Sequence, residues 1–467
     1  MDTIIDINRN SYAIIKKLGA GSQGTTYLLE DGKHIAKLFN QDFNSTETKS
    51  KINFLIQLGL DKRYFAVPLR EITQPKTGYI SEFASGMISL GNLKWNNIQG
   101  VGLGEWYKQT GGLQKRYSIL IKLADVLRKL HSKGLAYCDL SPNNVFISDK
   151  FEHSNVFLID LDNLRYKTGI VSNIWTPFYG APEVVTSDAP NTLMSDCFSF
   201  AVIAYELLTL NHPLIGDYVT DGEPDLEDQA LQGKLPWVDN EDDTINERTT
   251  GLPTEYVIPK RLLKLFRKTF EQGLNNAMER PSMADWFEKL NLGLNELLKC
   301  GNPECGLHYP FNNLNKCPFC KIKPEKITRI QMRRWEEVEK YDKTTNTVNK
   351  SFELQEEALD EILLDENTPK EIISLNFLLP DTDILKSVLK IEIITNNGEK
   401  KILLTPQNDL IFNYSSRSGE PLVLNEKRVL IDRPRKIRIA DSSQPDKQKY
   451  MLHLQDLNTP QRVLTID

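Results

Sequence analysis

The 467-residue chain has no long apolar run, no excess of positive charge and few cysteines. Its longest apolar stretch, CFSFAVIAYELLTL (197–210), contains Glu206 and is shorter than the roughly 20 residues a bilayer span needs, so no membrane partner is expected. The N-terminal MDTIIDINRN carries acidic residues where a secretion signal carries positive charge, and a cytoplasmic chain is expected. A formal charge of −6 gives phosphate backbones no general attraction, so nucleic acid is not expected as a partner. Of the six cysteines, Cys138 and Cys197 stand alone, while Cys300, Cys305, Cys317 and Cys320 cluster. In a reducing compartment such a cluster points to a metal rather than to disulfides.

What is present is ordinary soluble composition, 40% hydrophobic and 26% charged, in a chain long enough for two or three domains. Strand-like pieces dominate 12–40 and 65–83, and the Asp31-Gly32 pair between TTYLLE and KHIAKLF predicts a short hairpin. Residues 46–59 suit a helix. From 116 onward Ile119, Leu120, Leu123, Val126, Leu127 and Leu130 recur at helix spacing and define one buried face. Residues 217–243 are strongly acidic, with Lys234 the only basic residue, and read as a surface insert. RLLKLFRKTFEQGL and a segment ending near Leu298 read as helices. A polar linker, expected to be helical, follows the cysteine cluster. The strand-rich tail has its clearest element in IEIITNNGEKKILL (391–404), a hairpin turning at Asn397-Gly398.

The chemistry-bearing residues lie in the first 300. GAGSQGTTY places glycines at 19, 21 and 24, and glycine lets the backbone approach a ligand and offer its amides to phosphate oxygens. Alone, the pattern is also that of a flexible turn. A dinucleotide site wants a helix directly after the glycines. Here strand, turn and strand follow, so the glycines cap a hairpin in the manner of a lid over nucleotide phosphates. Lys37, on the second strand, is placed to reach those phosphates. In YCDLSPNNVFIS (137–148), Asp139 stands five residues before Asn144, a candidate base ahead of a candidate metal ligand. Asp160 follows an apolar strand in VFLIDLDN, and its carboxylate suits a Mg²⁺ bridging phosphates. Each residue has a plainer alternative, a solvated lysine or a turn aspartate. Order and spacing together carry the functional one.

Over roughly residues 10–295 these motifs resemble the protein kinase superfamily. GAGSQGTTY is similar to the Gly-rich loop, Lys37 to the strand lysine and CDLSPNNV to the catalytic loop, with IDLD standing where Asp-Phe-Gly would be. TPFYGAPE (176–183) is similar to the segment that ends the activation loop and receives a protein substrate. Asp196 resembles the helix aspartate bracing the catalytic loop, and Arg280 the arginine that pairs with Glu183. ISEFASG (80–86) resembles the hinge, with Ser81 a small gatekeeper and the backbone of Glu82 and Ala84 facing adenine. The acidic insert further resembles bacterial eukaryote-like kinases, for which a cognate phosphatase and a von Willebrand-type protein are possible partners.

The resemblance implies an α+β, bilobal protein-kinase-like fold, with an N-lobe over about 10–84 and a C-lobe over about 85–295. After it come a small Cys₄ zinc ribbon (296–326), a helical linker (327–369) and an all-β C-terminal domain (370–467). It implies ATP with Mg²⁺ or Mn²⁺ as cofactors, and transfer of the γ-phosphoryl to serine or threonine hydroxyls of proteins. Asp139 would act on the hydroxyl proton, Asn144 and Asp160 would hold the metal, Lys37 would position the phosphates, and Gly19, Gly21 and Gly24 would close over them.

Several positions depart from the family pattern. Tyr137 replaces a scaffolding histidine. Cys138 replaces the arginine that answers a phosphorylated activation loop, which implies activity without that phosphorylation. Ser141 replaces a lysine that stabilises charge on the transferring group, which implies slower turnover or a substitute cation. Asp162 replaces a glycine, restricting the backbone and placing a further carboxylate beside the metal. The only acid in TETKSKINFLIQL able to pair with Lys37 is Glu47, one turn early, where Lys51 would align. Thr176 is expected to pack on the catalytic loop, leaving Thr168 and Ser172 as freer autophosphorylation candidates. Two alternatives stay open: a pseudokinase or nucleotide-binding scaffold acting through the ribbon and β domain, and a small-molecule phosphotransferase.

Cys300-GNPE-Cys305 and Cys317-PF-Cys320 are two knuckles, each able to turn two thiolates towards one Zn²⁺. So small a segment has little core of its own, so the metal would supply most of its folding energy. His308 reads as an ordinary surface histidine. RPRKIRIA (433–440) reads either as a partner-binding surface or as a solvated basic strand.

Overall fold

The computed structural model describes residues 3–21, 23–40, 46–95, 101–150, 153–166, 173–311, 314, 316–324, 327–342, 344–364, 370–374, 387–396, 399–407, 411–415, 421–424, 428–430, 435–440 and 461–466. They divide into two compact units, Met1–Asn291 and Leu292–Asp467.

The first unit opens with six strands: β1 (Thr3–Asp6), β2 (Ser11–Ala20), β3 (Gly24–Leu29), β4 (His34–Phe39), β5 (Arg70–Gln74) and β6 (Gly78–Glu82). They form a closed barrel in the order β1-β2-β3-β4-β6-β5. Closure depends on β1, which lies before the expected domain start at residue 10 and pairs with both β2 and β5. Asp6 fixes its exit by accepting from the backbone amides of Asn8 and Asn10 and from the Tyr12 hydroxyl, at 2.8–2.9 Å. The barrel encloses Ile4, Leu29, Ala36, Leu38, Ile72 and Ile80. The β3–β4 hairpin turns at Asp31-Gly32, with Gly32 at φ +64° and the Asp31 carboxylate capping the amides of Lys33 and His34.

Helix α1 (Thr46–Gln57) lies between β4 and β5 in sequence and buries Ile52 and Leu55. Beyond the strands, the helix Gly112–Ser132 buries the periodic leucine and isoleucine face read from its spacing. The helix Leu193–Thr209 is buried along nearly its whole length. It is therefore a core helix, and no helix among the described residues is long and apolar enough to cross a membrane. The acidic 217–243 stretch is more than a surface insert. Trp237 and Val238 are buried, and Trp237 packs 5.8 Å from Tyr205 and 5.6 Å from Phe270 between ring centres.

In the second unit, Leu297–Lys299 pairs with His308–Pro310 beside the cysteines. The linker expected to be helical is instead a long antiparallel hairpin of Thr328–Asp342 with Thr347–Leu364. A polar, charged composition does not by itself choose helix over strand, because opposite charges facing each other across two strands satisfy it as well. Lys350 meets Glu337 at 2.9 Å and Glu339 at 3.0 Å, and Arg329 meets Glu361 at 2.9 Å. Strands dominate the described tail. Ser387–Asn396 pairs with Glu399–Pro406 around Asn397-Gly398, itself outside the described residues, and Arg435–Ala440 is a strand.

Candidate active site

Between the barrel and the paired strands Val145–Ser148 and Val156–Leu158 lies a cavity of about 440 Å³, within the usual range for small-ligand sites. Gly19, Glu82, Phe83, Ala84, Lys37 and Asp160 are among its lining residues. Ser81, on β6, is 1% exposed and also lines it. The cavity thus brings together the glycine segment, the stretch after β6, the β4 lysine and the aspartate after the strand Val156–Leu158. Gly19 and Gly21 face open space. Gly24 is required for a different reason: a Cβ there would lie 2.4 Å from the Leu38 carbonyl oxygen on β4.

The 137–144 loop is held from below. The Asp196 carboxylate accepts from the amides of Tyr137 (2.7 Å) and Cys138 (2.9 Å), and the His131 ring lies 3.0 Å away. The Tyr137 hydroxyl donates to the Ile159 carbonyl, tying the loop to the Asp160 strand. Cys138 adopts φ +73° and is buried. Burial, with the Asp196 charge added, pushes its thiol up to about 12, so it is no nucleophile at neutral pH. Asp139 Oδ1 accepts from the Thr176 hydroxyl at 2.7 Å, which packs Thr176 onto the loop. Asn144 Nδ2 donates to the Asp139 carbonyl at 2.8 Å, leaving the amide oxygen as its ligand atom. The Ile159 amide donates to the Asn144 carbonyl at 3.0 Å, so Asn144 and Asp160 sit on paired backbone. Two oxygen donors held this way fit a hard cation such as Mg²⁺ or Mn²⁺. Ser141 is 1% exposed, and its hydroxyl has no hydrogen-bond partner among the described residues.

Asp160 adopts φ +57°, and its carboxylate accepts from the Lys37 ammonium at 2.5 Å. Lys37 also donates to Asp162. The acid beside Lys37 is therefore not Glu47, which is exposed on the first turn of α1. Burial opposes the Lys37 charge, but Asp162 and Asp160 outweigh it and raise its pKa above the ordinary lysine value. Burial pushes the Asp162 carboxyl up to about 6, although the Lys37 ammonium pulls it down. Asp160 is held below its ordinary value: burial works to raise it, and Lys37 prevails. From sequence, Asp162 reads as a replaced glycine whose carboxylate stands beside the metal, not as the acid beside Lys37. Its nearness to Lys37 comes from the tight turn Leu161–Asn163, which neither spacing nor periodicity displays.

Glu183 and Arg280 form a two-pronged ion pair with both contacts at 2.7 Å, the arginine side chain fully buried. Thr168 and Ser172 lie outside the described residues.

A second cluster stands in the other unit. The four sulfurs of Cys300, Cys305, Cys317 and Cys320 lie within 4.8 Å of one another, with Cys300–Cys320 at 3.4 Å and Cys305–Cys317 at 3.8 Å. A tetrahedral ion with Zn–S bonds of about 2.3 Å separates its sulfurs by roughly 3.8 Å, so the donor set fits Zn²⁺.

Residues 92–289 match the protein kinase domain. The chain is similar to the serine/threonine-protein kinase CTR1 of Arabidopsis thaliana, 29% identical over 212 residues that make up 43% of this chain and 24% of that protein. It is also similar to death-associated protein kinase 2 of Homo sapiens, 25% identical over 222 residues, 45% of this chain and 55% of that protein. The serine/threonine-protein kinase RUNKEL of Arabidopsis thaliana is 30% identical over 105 residues, 21% of this chain and 7% of that protein. The chain spans less than two thirds of each of these relatives.

Proposed function

We propose, from the match of residues 92–289 to the protein kinase domain, that the chain transfers the γ-phosphoryl of ATP to serine or threonine hydroxyls of proteins. The observation that carries this is that one cavity is lined by Lys37 and Asp160 and also by residues 82–84. Asp139 orients the acceptor hydroxyl and takes its proton, a role suited to a carboxylate already accepting from a neighbouring hydroxyl, that of Thr176. Lys37 fixes the phosphates, and glycines 19, 21 and 24 cover them, which excludes water as the reacting groups come into line. Asn144 and Asp160 would hold Mg²⁺ or Mn²⁺, which supplies charge neutralisation on the transferring oxygens.

Two finer points belong to the same proposal. Cys138 offers no cation to a phosphorylated loop, so activity does not await that modification. Ser141 brings no positive charge to the transferring group, so turnover is slow relative to a chain with lysine there. The ribbon binds one zinc per chain. A cognate phosphatase and a von Willebrand-type partner rest on the resemblance to bacterial enzymes alone, and the relatives above are from a plant and a human.

Incubation with ATP and Mg²⁺ or Mn²⁺ tests the activity. Wild type, stripped of phosphate beforehand, should label itself, and Asp139→Ala and Lys37→Ala should not. A wild type that labels nothing, itself or an added proteome, would overturn the proposal. Labelling confined to small molecules would favour the small-molecule phosphotransferase.

A further inference from the structure

A lysine ammonium on a flexible four-carbon stem needs a fixed acid to point it at phosphates. In this chain the helix that faces the site does not provide one. Glu47 lines the cavity beside Asp162 but is exposed, and the half-buried charged residue that α1 contributes to that cavity is a cation, Lys51. That cavity, about 360 Å³, is also lined by Arg165 and Asn163. The acid comes from the other side. Asp162, its side chain 6% exposed, pairs with Lys37 on β4 and accepts from the Tyr79 hydroxyl on β6. Burial and the charge of Arg165 depress the Lys51 ammonium, and the Asp162 carboxylate opposes them. The polarity of the helix–lysine contact is thus reversed: the turn after Asp160 carries the acid and the helix carries a base.

We propose that Asp162 is the positioning residue for Lys37, and that Lys51 is the cation through which α1 docks against it. This rests on the phosphotransferase function proposed above. There Asp160 is committed to the metal, which leaves Asp162 as the acid that keeps Lys37 aligned through turnover.

Steady-state kinetics on the full chain test it, with ATP and metal concentrations varied separately. Asp162→Asn should lower kcat/KM for ATP by at least about tenfold, while the metal concentration for half-maximal rate stays constant. Glu47→Gln should match wild type. Lys51→Glu alone should also be impaired, since it sets two acids together. In the Asp162→Asn background it should recover activity, because it returns a carboxylate to the site from the helix. A merely structural role would not produce that reversal of sign. Unchanged kinetics in Asp162→Asn, a loss in Glu47→Gln of the same size, or a shift confined to metal dependence would overturn the inference. If Asp162→Asn does not melt cooperatively, Lys51→Gln decides: a loss of about threefold supports the inference and unchanged kinetics refutes it. Wild type that neither binds nor turns over ATP sinks the function itself. An active wild type with an indifferent Asp162 sinks only this inference.

Discussion

Trp237 and Cys317 are both fully buried, yet they are buried in different things. Around Trp237 stand aromatic rings, Tyr205 and Phe270 directly and Phe266 and Trp286 beyond them. Around Cys317 stand three other sulfurs and a small apolar group that includes Leu298, Tyr309 and Leu363. The first unit is thus held by apolar area removed from water, a term distributed over dozens of side chains. The ribbon of the second has too little such area, and an ion held by its four thiolates would make up the difference. One unit should tolerate any single loss in proportion to its size. The other should fail at once when its metal goes.

Removing the metal is the sharpest way to break that contrast. A strong zinc chelator should abolish the ordered state of 296–326, an effect on the order of 10 kcal/mol in isolated zinc modules. The first unit should keep its own calorimetric transition and its ATP binding. Metal analysis should find one zinc per chain before treatment, and a chain with no metal and an unaltered ribbon would refute the site. Next in size comes Glu183→Ala, which strands the fully buried Arg280 guanidinium. It should cost the first unit about 3 kcal/mol and leave the second unit's transition in place. The smallest effect is expected at Lys350→Ala on the long hairpin. Its cross-strand pairs with Glu337 and Glu339 are exposed, and thermal melting should not register their loss.

The residues most legible in the sequence were those whose chemistry dictates both type and spacing. Lys37, Asp139, Asn144 and Asp160 could be named from order along the chain, and so could the four cysteines. Less legible was what depends on distant segments meeting. Asp162 reaches Lys37 across more than a hundred residues of intervening chain, and no local pattern marks that encounter. The polar linker over 327–369 reads as helix, yet its charges pair as well between two strands, and only the partner strand decides. β1 was overlooked because four residues carry too little periodicity to read, although two neighbours complete it.

That short strand has a consequence for recruitment. A sheet that ends in an unpaired strand offers a row of free amides and carbonyls onto which a foreign peptide can zip. By bonding to β2 on one side and β5 on the other, Thr3–Asp6 leaves the barrel no such seam. Anything that grips this lobe must do so through side chains on its outer face, where recognition depends on shape and charge rather than on the indiscriminate grammar of the backbone.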